Sequence, residues 1–349
     1  MPGFSPPSTP PTLPLVAFHA SVLPQRQRSG LLAALAAGRL PGWFLYATPA
    51  QATRWLAYHQ AWSPSRTSEE TAALYAGAFA RAVRTVNAPA GTVVGLGCGG
   101  GQKDTALLAH WQAQAPADGA AAYLPLDASP SLVLEAALHA RQALNGPRLH
   151  PLVADLESEA LWEEMADCWP GWPADGGLLV TCFGLLPNLP QATLLRGLRR
   201  AVPAGGCLLV SANLSPGGLP ADGGRILAQY DNPPARAWYQ GALTGLGLPP
   251  GEVELRVQAE ALAVRSPSAA QLPGVAGAWR IVARARMLRA RVLEVEGQAF
   301  SLAAGQELEV FHSTRLGAAG VDALLQACGW RPVESWIQGD GEEGIWLCH

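Results

Sequence analysis

The sequence predicts an α/β fold built on a doubly wound, Rossmann-like parallel sheet. Three observations predict it. Five apolar strand segments, each running into a helical pattern, recur between Thr92 and Ser211. The turn after the first segment, Gly95-Leu96-Gly97-Cys98-Gly99-Gly100-Gly101, is almost wholly glycine. Acids stand at the ends of the next two segments, Asp127 and Asp155.

In chain order, residues 1–14 are rich in proline and serine and predict a disordered tail. Leu31 to Leu35 opens a helical pattern that Gly38 and Pro41 end. An aromatic-rich stretch follows, with Trp43, Phe44, Tyr46, Trp55, Tyr58 and Trp62. On its own it reads as packing beneath an irregular segment. Ser68 is placed to cap a helix through Leu74 and Phe79, with Glu69 and Glu70 in its first turn. Val93-Val94 then ends the first buried strand, and Asp104 to Ala109 reads as a helix. Tyr123 to Asp127 is the second strand, with a helix from Ser129 or Ser131. Leu149 to Val153 is the third and Gly177 to Cys182 the fourth. A helix over Leu194 to Leu198 leads to the fifth, Gly206 to Ser211.

After Asn213 the pattern changes. Pro216 to Pro220 reads as a turn, and a helical region runs from Ile226 to Leu246. Trp279 to Leu288, Arg291 to Val295 and Gln306 to Phe311 alternate polar with apolar residues, as antiparallel strands do. A helix over Val321 to Ala327 precedes Trp330 to Trp336 and a last strand, Gly344 to Cys348.

Composition narrows the function classes. The chain has 349 residues, 49% of them hydrophobic, and a net charge of −3. No basic face is implied, so nucleic acid is not the expected partner. The six cysteines (98, 168, 182, 207, 328, 348) include no C-x-x-C pair. They predict free thiols in a reducing cytoplasm and no metal site. No run of membrane-spanning length and no secretory leader pattern is present, and the expected location is cytoplasmic.

Gly95, Gly97 and Gly100 satisfy G-x-G-x-x-G, a weak fingerprint in a chain with 38 glycines. Such a loop brings backbone N–H groups up to a nucleotide-type ligand. Asp127 is placed to accept both ribose hydroxyls. Asp155, followed by Leu156, suits an adenine amino group and ring face. A glycine loop, a ribose acid and an adenine acid on three consecutive strand ends describe S-adenosylmethionine (SAM) better than a nicotinamide cofactor. Gly97, Cys98, Gly99, Gly101, Asp127, Asp155 and Leu156 are the expected contacts.

These residues carry a resemblance to the ergothioneine-pathway histidine Nα-methyltransferases. Its marks are Leu96-Gly97-Cys98-Gly99 followed by Lys103, Tyr123 to Asp127, and Asp155-Leu156-Glu157. Further marks are Phe183 to Leu189, Tyr230-Asp231, Leu302 to Glu307, and Ser313-Thr314-Arg315. The resemblance runs from about Pro41 to the C-terminus. It implies a class I methyltransferase sheet closed by an antiparallel hairpin, over residues 67–218 and 316–349. It also implies a second, α+β substrate domain over 15–66 and 219–315. The amino-acid substrate of that family lies between the two, with Lys103 among the cofactor contacts. The amine-holding asparagine falls on Asn188, the carboxylate-side tyrosine on Tyr230 and the imidazole-side serine on Ser313. Phe183, Leu45, Tyr46 and Trp62 fall in the same pocket.

The departures bear on the acceptor. The family's imidazole-pairing acid is Phe311 here, and its usual acid at the end of the first strand is Gly95. A phenyl ring cannot accept an imidazole N–H, and an unpaired buried donor costs about 1–3 kcal/mol, roughly one to two powers of ten in binding. With Trp62 and Leu45 in place of tyrosines, the expected acceptor is an amine or amino acid more apolar or aromatic than free histidine. The rivals are an NAD-dependent Rossmann oxidoreductase and a non-catalytic relative that binds SAM or an amino acid. No G-x-S-x-G elbow supports a hydrolase.

Overall fold

The structure, a computed structural model, describes residues 14–88, 91–114, 121–168, 177–262 and 277–349. The expected loose tail and the side chain of Cys168 lie outside the described residues. In chain order the first strands are β1 (Ala17–Phe18), β2 (Thr92–Leu96), β3 (Ala122–Asp127), β4 (Arg148–Leu149), β5 (Leu152–Val153), β6 (Leu178–Cys182) and β7 (Cys207–Asn213). They continue with β8 (Val253–Ala261), β9 (Trp279–Met287), β10 (Arg291–Val295), β11 (Gln298–Leu302), β12 (Glu307–Arg315), β13 (Pro332–Ile337) and β14 (Glu343–Cys348). The helices are α1 (Pro24–Ala36), α2 (Pro49–Trp62), α3 (Pro64–Thr67), α4 (Glu69–Val86), α5 (Gln102–Gln112) and α6 (Pro130–Ala143). After them come α7 (Glu159–Cys168), α8 (Gln191–Ala201), α9 (Gly218–Tyr230), α10 (Pro233–Gly245) and α11 (Ala318–Ala327).

The central sheet has the order β1-β5-β3-β2-β6-β7-β14-β13, with β4 also pairing β3. Its strands are parallel up to β7; β14 runs antiparallel to both β7 and β13. A doubly wound sheet closed by a reversed hairpin is the expected architecture. Strand alternation divides each strand between two cores. Val94, Leu96, Leu124 and Leu126 pack on one face with Trp162, Leu195 and Leu325. Val93 and Tyr123 pack on the other with Phe79, Leu107 and Trp111. The caps are those read from the sequence: Ser68 accepts from Thr71 N, and Ser129 accepts from Leu132 N.

The structure differs from the sequence reading at several places. The third strand is two short pieces, because Pro151 has no N–H for a ladder. Its carbonyl instead accepts from Ala17 N at 2.9 Å, so β1 joins the edge of the central sheet rather than the second unit. The region from Ile226 to Leu246 is two helices, and the first already begins at Gly218, inside the expected turn. Asn232 ends the run by capping α10, whose first turn holds Pro233 and Pro234. The strands β8 and β11 were not read, and β12 continues past Phe311 to Arg315.

A third core joins Leu31, Leu35 and Leu45 to Ile226, Trp238, Tyr239, Trp279 and Phe311. It packs α1, α9 and α10 against the sheet β12-β9-β8, beside the hairpin β10-β11. Between this core and the central sheet lies one cavity of about 690 Å³.

Candidate active site

The floor of the cavity is the turn between β2 and α5. Cys98 N donates to Leu126 O at 3.1 Å, tying the loop to the neighbouring strand end. Gly99 has φ +53°, and a Cβ there would come 2.6 Å from the Trp55 ring. The indole of α2 therefore lies directly on the loop, and only glycine leaves room for it. Gly101, at φ +74°, is the N-cap of α5, and a Cβ there would meet the backbone of Ala136 at 2.7 Å.

Asp127 is fixed by this floor: Ser129 N donates to its Oδ1 at 2.9 Å and Gly99 N to its Oδ2 at 3.4 Å. Burial raises its pKa to about 6, against the opposing pull of those amides. Asp155 lines the same cavity with Leu156, and its Oδ1 accepts from Glu157 N at 3.0 Å. Burial raises its pKa also. Ser21 props this strand end from the N-terminal segment, accepting from Asp155 N at 3.0 Å.

At another point on the wall stand two cations. Lys103 Nζ donates to Tyr75 OH at 2.7 Å and sits 4.2 Å from the centre of that ring. Tyr75 in turn donates to Glu343. Burial pulls the Lys103 pKa down. Arg66 lines the cavity with a buried Nε that has no hydrogen-bond partner among the described residues. His59, stacked on Trp55 with centroids 4.9 Å apart, has its pKa lowered to about 3 by burial and by these two cations. It is a neutral wall beside the two cations.

The third portion is aromatic. Phe311 stacks on Tyr230 (5.9 Å) and Tyr239 (5.6 Å) and meets Trp238 edge-on (5.5 Å). A bulge in β12 between Glu309 and Phe311 turns this ring toward the core. Arg315 donates from Nη2 to Tyr230 OH at 2.6 Å. Arginine only donates, so the tyrosine oxygen accepts from it, and the tyrosine proton is shared between Ser313 Oγ, 3.3 Å away, and the cavity. Asn188, in the turn after β6, donates weakly to Gly184 O at 3.5 Å. Its Oδ1 is buried without a partner among the described residues.

Fourteen of the sixteen sequence-predicted positions thus line one cavity. Gly97, Cys98, Gly99, Lys103, Asp127, Asp155 and Leu156 stand with Leu45, Tyr46, Trp62, Phe183, Asn188, Tyr230 and Phe311. Gly101 and Ser313 do not reach it. Gly101 is packed on Ala136, and Ser313 is buried with its Oγ 3.3 Å from Tyr230 OH. Sequence reading missed Trp55, His59, Arg66, Asp104, Glu309 and Glu343 as wall residues. The aromatic run held a signal for Trp55, but nothing local marks Glu343, which arrives from the last strand.

A doubly wound sheet with a reversed terminal hairpin, a glycine floor and acids ending its second and third strands defines a class I SAM-dependent methyltransferase. The chain belongs to the histidine-specific, SAM-dependent methyltransferase family, whose profile it matches over residues 35–237, more than half its length. A search of curated proteins finds no match. Similar solved structures include a SAM-dependent methyltransferase from Clostridium acetobutylicum (10% identity, 84% of this chain and 98% of that one, TM-score 0.43). Others are the 1,6-didemethyltoxoflavin-N1-methyltransferase of Burkholderia thailandensis, bound to its substrate and S-adenosylhomocysteine (12%, 86% and 90%, 0.41), and a sugar N-methyltransferase from a Streptoalloteichus species (15%, 83% and 91%, 0.38).

The residues present fit SAM. Asp127 keeps lone pairs for ribose hydroxyls, Asp155 and Leu156 suit adenine, and Lys103 with Arg66 suits a carboxylate.

Proposed function

We propose that this methyltransferase acts on the amine of a small amino acid or related small molecule with an apolar or aromatic side chain. The observation that carries the reading is Asn188. A buried carbonyl oxygen without a donor, on the wall of a cavity, costs about 1–3 kcal/mol unless a ligand N–H fills it. An amine meets that need, and the hydrogen bond aims the nitrogen lone pair.

SAM supplies an electrophilic methyl group when bound. The chain's part is to position a neutral amine and keep water out. With Ser313 donating to it, Tyr230 turns its own proton to the far end of the acceptor, where a carboxylate accepts it. Trp238 and Phe311, both on the cavity wall, form an apolar surface for the side chain, with Tyr239 stacked behind Phe311. Burial raises the Tyr46 pKa first of all, followed by nearby Asp127 and Tyr230, so this phenol stays a donor between the cofactor and acceptor portions. Placement of the acceptor between the two cores is part of the same reading.

Release of S-adenosylhomocysteine against a panel of amino acids and amines tests it. Asn188→Ala is expected to lower turnover at least tenfold while S-adenosylhomocysteine affinity stays within threefold. Unchanged turnover, or methyl transfer to a ring nitrogen or oxygen, removes the reading. Binding without turnover across the panel points to a non-catalytic relative.

A further inference from the structure

The end of β2 carries Gly95, where the family resemblance places an acid. The volume beside it is filled: a Cβ built on Gly95 would lie 2.1 Å from Asp104 Oδ2. Asp104 stands in the first turn of α5, where the helix end favours an anion. Its side chain is only 3% exposed and lines the cavity. Thr181 Oγ1 donates to Oδ1 at 2.7 Å, and Tyr123 OH donates to Oδ2 at 2.8 Å. Both donors are neutral, and among the described residues no cation forms an ion pair with it, the charge of Lys103 acting on it only weakly from a distance.

We propose that Asp104, in the first turn of α5, holds the ammonium of the cofactor's amino-acid tail. A buried carboxylate held only by neutral hydroxyls still lacks a positive partner. The neighbouring Lys103 is taken up with Tyr75 and, with Arg66, suits the tail's carboxylate. Glu343, the other acid near Lys103, already accepts from Tyr75 and, at 3.1 Å, from Asn213. Asp127 is held by the loop amides and faces the ribose. Asp104 is the acid left for the ammonium. The inference needs the cofactor alone and does not depend on the acceptor.

Calorimetric titration with two ligands tests it. S-Adenosylhomocysteine has the amino-acid tail; 5′-methylthioadenosine keeps the adenosine and lacks the tail. Asp104→Asn is expected to weaken the first at least about tenfold and the second less than about threefold. The double variant Gly95→Asp with Asp104→Ala returns a carboxylate to the same volume from the strand. It is expected to bring the affinity ratio of the two ligands back to within about threefold of the parent. Equal loss on both ligands in Asp104→Asn, or no loss, overturns the proposal. A double variant that melts like the parent yet keeps the collapsed ratio also overturns it. If Asp104→Asn does not fold, the ratio in the double variant decides alone.

Discussion

Asp127 and Asp104 both have pKa values raised to about 6, chiefly by burial. The sign follows from which form each state prefers. Without ligand, these acids favour the fold fully below the unfolded value of 3.8, and that contribution is lost as pH rises through about 6. In the proposed roles ligand binding runs the other way, because the charged form would accept the ribose and ammonium donors. Calorimetry should show S-adenosylhomocysteine affinity falling about fivefold per titrating carboxylate between pH 6 and 5. Tyr230→Phe leaves the guanidinium of Arg315 without its acceptor in a buried place. Urea unfolding should report a loss of about 1–3 kcal/mol, with acceptor KM raised as well.

Single elements carry constraints that a residue viewed alone does not show. The start of α5 packs against α6 so closely that Gly101→Ala places a Cβ against backbone, not against a flexible side chain. The strained φ adds to this. A fall in stability of about 1–3 kcal/mol, read as a lowered melting temperature, is expected. At Gly99, also at positive φ, the neighbour is the Trp55 ring instead, so Gly99→Ala displaces a side chain of the cavity wall rather than backbone. Its expected signature is weakened cofactor binding with a smaller loss of melting temperature. Trp55→Ala combined with Gly99→Ala should recover part of that binding. The strand β8 shows why the second sheet was read only in part. Its Glu260 lies among Arg280 at 2.7 Å and Arg284 at 2.8 Å, and such cross-strand charges blur the alternation that marks a half-buried strand.

For the molecule as a whole, the cavity lies where the central sheet meets the core of α1, α9, α10 and β12, so a ligand there touches both. A ligand that binds the native state alone, at a hundred times its Kd, adds about 2.7 kcal/mol. Thermal melting should therefore rise by about 4 °C with S-adenosylhomocysteine. NAD should leave it unchanged, as expected of a member of a SAM-dependent family. No helix among the described residues is long and apolar enough to cross a membrane.

The sequence by itself determined the parallel sheet, its glycine floor and the acids at 127 and 155. Strand ends are local: alternation, glycine and a terminal acid are all written within a dozen residues. The family marks extended this to Asn188, Tyr230 and Phe311. Only the tertiary structure decided what these residues meet. The β12 bulge sets which way Phe311 faces, and Glu343 reaches Tyr75 from the far end of the chain. Asp104 occupies the space that Gly95 leaves open. Close packing brings together atoms distant in sequence, and no periodicity records which volume a neighbouring element has already filled.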